Sequence, residues 1–105
     1  MAGSAIEFHR QWIAQCEAAR QIRHRFGLIS ALEYLVGEKL LHFVDACDQH
    51  PDFRQELPWF VAEIKRVFSL TEVGNYAVQL ERTRALSGRQ RATVRAVSSI
   101  STHIH

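Results

Sequence analysis

Ser30-Ala31-Leu32-Glu33-Tyr34-Leu35-Val36-Gly37-Glu38-Lys39-Leu40-Leu41-His42-Phe43-Val44-Asp45-Ala46-Cys47-Asp48-Gln49 is the most apolar stretch of the chain and decides its fold class. Leu32, Val36, Leu40, Phe43, Val44 and Cys47 recur at steps of three and four, and Tyr34 and Leu41 widen the stripe. That spacing is the signature of one broad helical face. Ser30 followed by Glu33 reads as a capping box, so the helix is expected to begin there and to end at His50-Pro51. Gly37 sits inside it, at a penalty of about 1 kcal/mol relative to Ala. Close approach of a neighbouring helix, against the bulk of Trp12, is the expected compensation.

Upstream, Phe8, Trp12, Ala19, Ile22 and Phe26 keep a heptad seam, with Gln15 in its gap. The helix carrying it is expected from an N-cap at Ser4 to about Arg25, stopped by Gly27. Such a seam faces another helix, in the same chain or in a second copy. Downstream, Asp52 to Glu56 reads as a single turn. Pro58 suits the first turn of a helix reaching about Val67, which buries Leu57, Phe60, Val61, Ile64, Val67 and Phe68. Ser69 and Glu72 form a further capping box. The helix after it presents Leu70, Val73, Tyr76, Ala77 and Leu80, and fades near Leu86 and Ser87-Gly88.

Residues 87–105 carry Arg89, Arg91 and Arg95 and no acid, for +3, whereas residues 1–86 carry ten cations against eleven acids, for −1. The expectation is an all-α fold: a small bundle of three to four helices over residues 1–86, and a disordered basic C-terminal tail over 87–105. No run approaches the roughly 20 apolar residues of a membrane span. Met1 to Arg10 has no secretory pattern, and a cytoplasmic protein with Cys16 and Cys47 reduced is expected. A Cys16–Cys47 disulfide would need two antiparallel helices matched in height.

Chemistry-bearing patterns are sparse. Glu38, His42, Asp45 and Gln49 form one polar stripe, read as solvated rather than as a metal or acid–base site. Cys47 is on the opposite face and cannot join it. Cys16 has Arg20 one turn away, but His9 is two turns away and too far to act as its base. No phosphate loop or metalloprotease motif occurs, so neither enzyme activity nor a cofactor or metal is expected. Ala62 to Val73 looks loosely like a helix-turn-helix, but it lacks a turn glycine and opens its second helix with an acid.

Function is therefore expected to be non-catalytic. More apolar helical surface is present than three or four short helices can cover, which points to an interaction or adaptor protein that pairs with itself as a homodimer. Trp59, on the side of Glu63 and Arg66, is read either as an interface anchor or as a lid over Pro51 or Phe53. Phe8 and Trp12 form the second candidate contact. The alternative is an accessory nucleic-acid binder using Arg20, Arg23 and Arg25 with Arg89, Arg91 and Arg95; its binding would be steeply salt-dependent. Arg20, Arg23, His24 and Arg25 also complement the helix dipole, which is the plainer reading.

Overall fold

The computed structural model describes the backbone of residues 2–49 and 55–103. In chain order it forms α1 (Ala2–Phe26), α2 (Leu28–Leu32), a π-helical segment (Glu33–Leu40), α3 (Leu41–Gln49), α4 (Leu57–Ile64), α5 (Leu70–Thr83) and α6 (Gly88–His103). There is no strand among the described residues, so the class is all-α. α2, the π segment and α3 run on as one rod. Among the described residues the bundle thus has five rods rather than three to four.

α1 already includes Ser4, which is therefore not its N-cap, and it ends as expected at Gly27. Gly27 has φ +97°, a conformation that favours glycine, and its N–H donates to the Arg23 carbonyl at 3.1 Å. The next helix starts immediately afterwards at Leu28, with Gly27 itself in the cap position and no side-chain cap. The Ser30–Glu33 capping box is therefore absent. Ser30 is an exposed residue inside the first turn, because one left-handed glycine suffices both to stop α1 and to launch α2.

The rod from Leu28 is central, as its composition implies: Leu32, Leu35, Val36, Leu40, Leu41, Phe43 and Val44 are all buried. A π-helix, bonded from residue i to i+5, holds about one residue more per turn than an α-helix. This brings Leu35 into the core beside Val36. Gly37 lies within this segment and is buried. A Cβ there would fall 2.5 Å from the Tyr76 hydroxyl and 3.5 Å from Arg84 Nη1. Close approach does explain the glycine, but the neighbours are Tyr76 and Arg84 from α5 and its cap rather than Trp12. Arg84 Nη1 also donates to the Gly37 carbonyl at 2.5 Å.

α4 has Pro58 in its first turn and shortens to Ile64. Residues 65–67 continue as turns in which Lys65, Arg66 and Val67 each donate to the carbonyl three residues back. The Ser69–Glu72 capping box forms as read: Glu72 N–H donates to Ser69 Oγ at 3.1 Å, and Ser69 N–H to Glu72 Oε1 at 2.9 Å.

The largest departure is at the C-terminus. Residues 88–103 are not a disordered tail but helix α6, packed along α5 and against α3. Val94 and Val97 are 1% and 3% exposed and Thr93 is also buried. Its start is a second capping box: Ser87 N–H donates to Gln90 Oε1 at 3.0 Å and Gln90 N–H to Ser87 Oγ at 3.1 Å. Gln90 Nε2 then reaches Asp45 at 3.2–3.3 Å, and Arg95 Nε reaches Glu81 at 2.6 Å. The radius of gyration is 13.2 Å, against about 13 Å for a compact chain of this length.

Candidate functional site

The residues singled out on α1 and α4 do come together, but as part of the core. Trp12 is 2% exposed, stacks on Phe60 with centroids 5.1 Å apart, and donates from Nε1 to the Phe60 carbonyl at 3.0 Å. Phe60 lies 4.0 Å from Phe43, and Phe8 meets Phe43 edge-on at 5.8 Å. Trp12 is thus not a contact residue. A residue on the buried seam of α1 has nowhere to meet a second protein once α4 lies across it.

Trp59 is half-buried and neither swings out nor serves only its own element. It lies over the His9 ring at 4.3 Å, and His9 Nε2 donates to Glu56 at 2.8 Å. The sandwich Trp59–His9–Glu56 pins the start of α4 to α1. Pro51 and Phe53, the other expected partners of Trp59, lie outside the described residues. Glu63 and Arg66 pair with each other at 2.8 Å across one helical turn.

The six arginines of the nucleic-acid reading are distributed over different tasks. Arg20 donates to the Arg66 carbonyl at 3.1 Å. Arg23 donates to the Val67 carbonyl at 2.8 Å and forms a two-pronged pair with Glu72 at 2.9 and 3.0 Å. These contacts satisfy carbonyls at the end of α4 and tie α1 to the α4–α5 turn. Arg95 is held by Glu81, while Arg25, Arg89 and Arg91 are exposed. The Glu72 carboxyl sits below its ordinary range, chiefly through hydrogen bonds from Arg23 and then from the Ser69 backbone. The first turn of the helix-turn-helix-like unit is therefore committed to α1.

Cys16 is a buried free thiol, and burial, aided by Glu63 and Glu17, pushes it up to about 12. Thiolate is scarce at neutral pH. Because the Cys16 thiol is free, it makes no disulfide; the Cys47 side chain lies outside the described residues. In the polar stripe, Asp45 is engaged by Gln90 and Glu38 lies 3.3 Å from Lys39. Among the described residues no group of three or more His, Cys, Asp or Glu side chains could hold a metal ion. No helix among them is long and apolar enough to cross a membrane.

No family model, curated protein or solved structure matches the chain.

α6 covers part of the apolar faces of α5 and α3. Of the exposed large apolar side chains, Ile13 lies midway along α1 at 49%, and the two most exposed lie where α1 turns into α2. Phe26 is 72% exposed and Ile29 57%. Phe26 is the last position of the α1 seam and is left largely uncovered by the described residues. Beside it, Leu28, Ile29, Leu32 and Tyr76 line a groove of about 240 Å³ between α2 and α5, bordered by Thr71, Asn75 and Gln79. Exposed Val78 continues the Thr71–Asn75 stripe of α5. Sequence reading placed Phe26 on a seam but not at the edge of a groove, because the groove exists only once α5 packs beside α2.

Proposed function

We propose that the protein is a small non-catalytic helical interaction module that pairs with a second copy of itself through the Phe26–Ile29 face. The observation that carries this reading is the adjacency of a bare aromatic knob, Phe26, and an open apolar groove that begins two residues later at Leu28. A two-fold axis through such a face seats each knob in the other copy's groove, so the surface is complementary to itself. A cavity of roughly 150 Å³ suffices for a benzene ring, and the groove exceeds this. Charge favours the same arrangement. Arg25 adjoins the knob, and Glu33, close enough to Tyr76 to act on its phenol, follows the groove residue Leu32. In an antiparallel pair the cation of one copy faces the acid of the other.

The Phe8, Trp12 and Trp59 region does not support the reading, because its aromatic rings are engaged within the chain. Binding to nucleic acid loses support as well, since Arg20, Arg23 and Arg95 are engaged by intramolecular acceptors. Sedimentation equilibrium at micromolar concentration tests the proposal with the full chain and its Phe26→Asp variant. The expected result is a dimer that Phe26→Asp converts to a folded monomer. A wild-type chain that stays monomeric throughout, or a dimer indifferent to Phe26→Asp, refutes it.

A further inference from the structure

A second concavity lies on a different face, between α1, α4 and the rod of the π segment and α3. Its floor is aromatic, made of Phe8, Trp12, Phe43 and Phe60, and Ala46 leaves space at one side. Gln11 and Gln15 come from α1, and Lys39 and His42 from the facing rod. The cleft measures about 190 Å³, somewhat more than the roughly 150 Å³ that admits a benzene ring.

Its rim is chemically one-sided. It holds an ammonium, an imidazole and two carboxamides, and no carboxylate is among its described lining residues. Gln11, Gln15 and His42 line the cleft, and their side chains make no hydrogen bond to another described residue. Lys39 stands over the Tyr34 ring at 5.4 Å and 3.3 Å from the exposed carboxylate of Glu38, a surface pair of little strength. Its ammonium is therefore held near the cleft without being neutralised by a buried acid. An apolar floor with a few convergent polar groups is the general form of a small-ligand site.

The geometry points to a binding site in this cleft for a small monoanion built on one aromatic ring, such as an aryl carboxylate. The ring enters against Phe8 and Ala46, with Trp12, Phe43 and Phe60, each at most 3% exposed, contributing only a few atoms, and the carboxylate accepts from Lys39, with Gln11, Gln15 and His42 as further donors. Charge-assisted bonds of this kind are about twice as strong as neutral ones, so charge decides selectivity. This site is independent of the pairing face: Phe26 and the α2–α5 groove contribute nothing to it.

The test is a titration of the full-length protein with benzoate, benzamide and benzylammonium, followed by amide and side-chain NH2 shifts in two-dimensional ¹H–¹⁵N spectra. Benzoate is expected to move Gln11, Gln15, Lys39 and His42 and to bind about tenfold or more tighter than the other two probes. Lys39→Met should weaken benzoate by about tenfold and leave benzamide unchanged. Ala46→Leu should fill the cleft and abolish all binding there. Should Ala46→Leu fail to fold, Lys39→Met carries the test alone, because Lys39 is partly exposed and supports no core contact. Equal affinity for the three probes overturns the inference, as do shifts confined to Leu28–Leu32 and Thr71–Gln79, or no shift in the cleft at about 10 mM benzoate.

Discussion

Replacing Gly37 with Ala reverses a familiar sign. In an open helix the change gains about 1 kcal/mol, because Ala orders its backbone more readily than Gly. Here the added Cβ falls 2.5 Å from the Tyr76 hydroxyl, about 1 Å inside ordinary contact. Tyr76 is only 7% exposed, and it lies on the same helix as buried Val73, Ala77 and Leu80, so the ring has little room to retreat. Overpacking of this kind costs about 1–3 kcal/mol. Displacement of the π segment would also strain the bond from Arg84 to the Gly37 carbonyl, a charged hydrogen bond of about 1.5–3 kcal/mol. Against the helix-propensity gain, a net loss of about 1–2 kcal/mol is expected in a urea titration followed by circular dichroism. Tyr76→Phe removes the obstructing oxygen and leaves Arg84 Nη1 at 3.5 Å as the nearest atom, an ordinary contact. On that background Gly37→Ala should stabilise, and the double-mutant cycle should show about 2 kcal/mol of coupling. If Gly37→Ala stabilises both backgrounds equally, Tyr76 is not what requires the glycine.

Trp12→Ala should destabilise by about 3–5 kcal/mol, since it opens a cavity and leaves the Phe60 carbonyl without its donor; a loss below about 1 kcal/mol by the same titration would remove Trp12 from the core. Deleting residues 87–105 removes the buried Val94 and Val97, each contributing about 1.5–3 kcal/mol, so the unfolding midpoint should fall sharply, whereas a dispensable tail would leave it unchanged. The depressed Glu72 carboxyl predicts a pH effect of definite sign. Its folded value lies below its unfolded one, so its contribution is full above the ordinary glutamate range and disappears as pH falls through the lowered value. The stability difference between wild type and Glu72→Gln should therefore shrink on acidification, and a difference that grows would contradict the Arg23–Glu72 assignment.

Local chemistry was legible wherever one or two residues determine the outcome. Gly27, Pro58 and the Ser69–Glu72 box each act within four residues, and each is where the sequence places it. The same logic failed at Ser30 because Gly27, three residues earlier, had already started the helix. At Ser87–Gln90 a box of the same kind, and the Val94–Val97 pair beyond it, are obscured by the basic composition of residues 87–105. The π segment leaves no periodic mark, since one extra residue per turn is absorbed within the scatter of an apolar run. The position of Trp59 against His9, and the meeting of α2 with α5 that makes a groove beside Phe26, depend on how the rods pack. Neither is encoded in the spacing of any single helix. The aromatic cleft was partly foreshadowed by Phe8 and Trp12, but its polar rim draws on two elements remote in sequence.

Self-pairing through the Phe26 knob is tested most directly by isotope-filtered NOE spectroscopy on an equal mixture of labelled and unlabelled chains. The account predicts cross-peaks between the Phe26 ring of one copy and the methyl groups of Ile29 and Leu32 of the other. Their absence in a sample that tumbles as a monomer, or intermolecular contacts confined to another face, would contradict it.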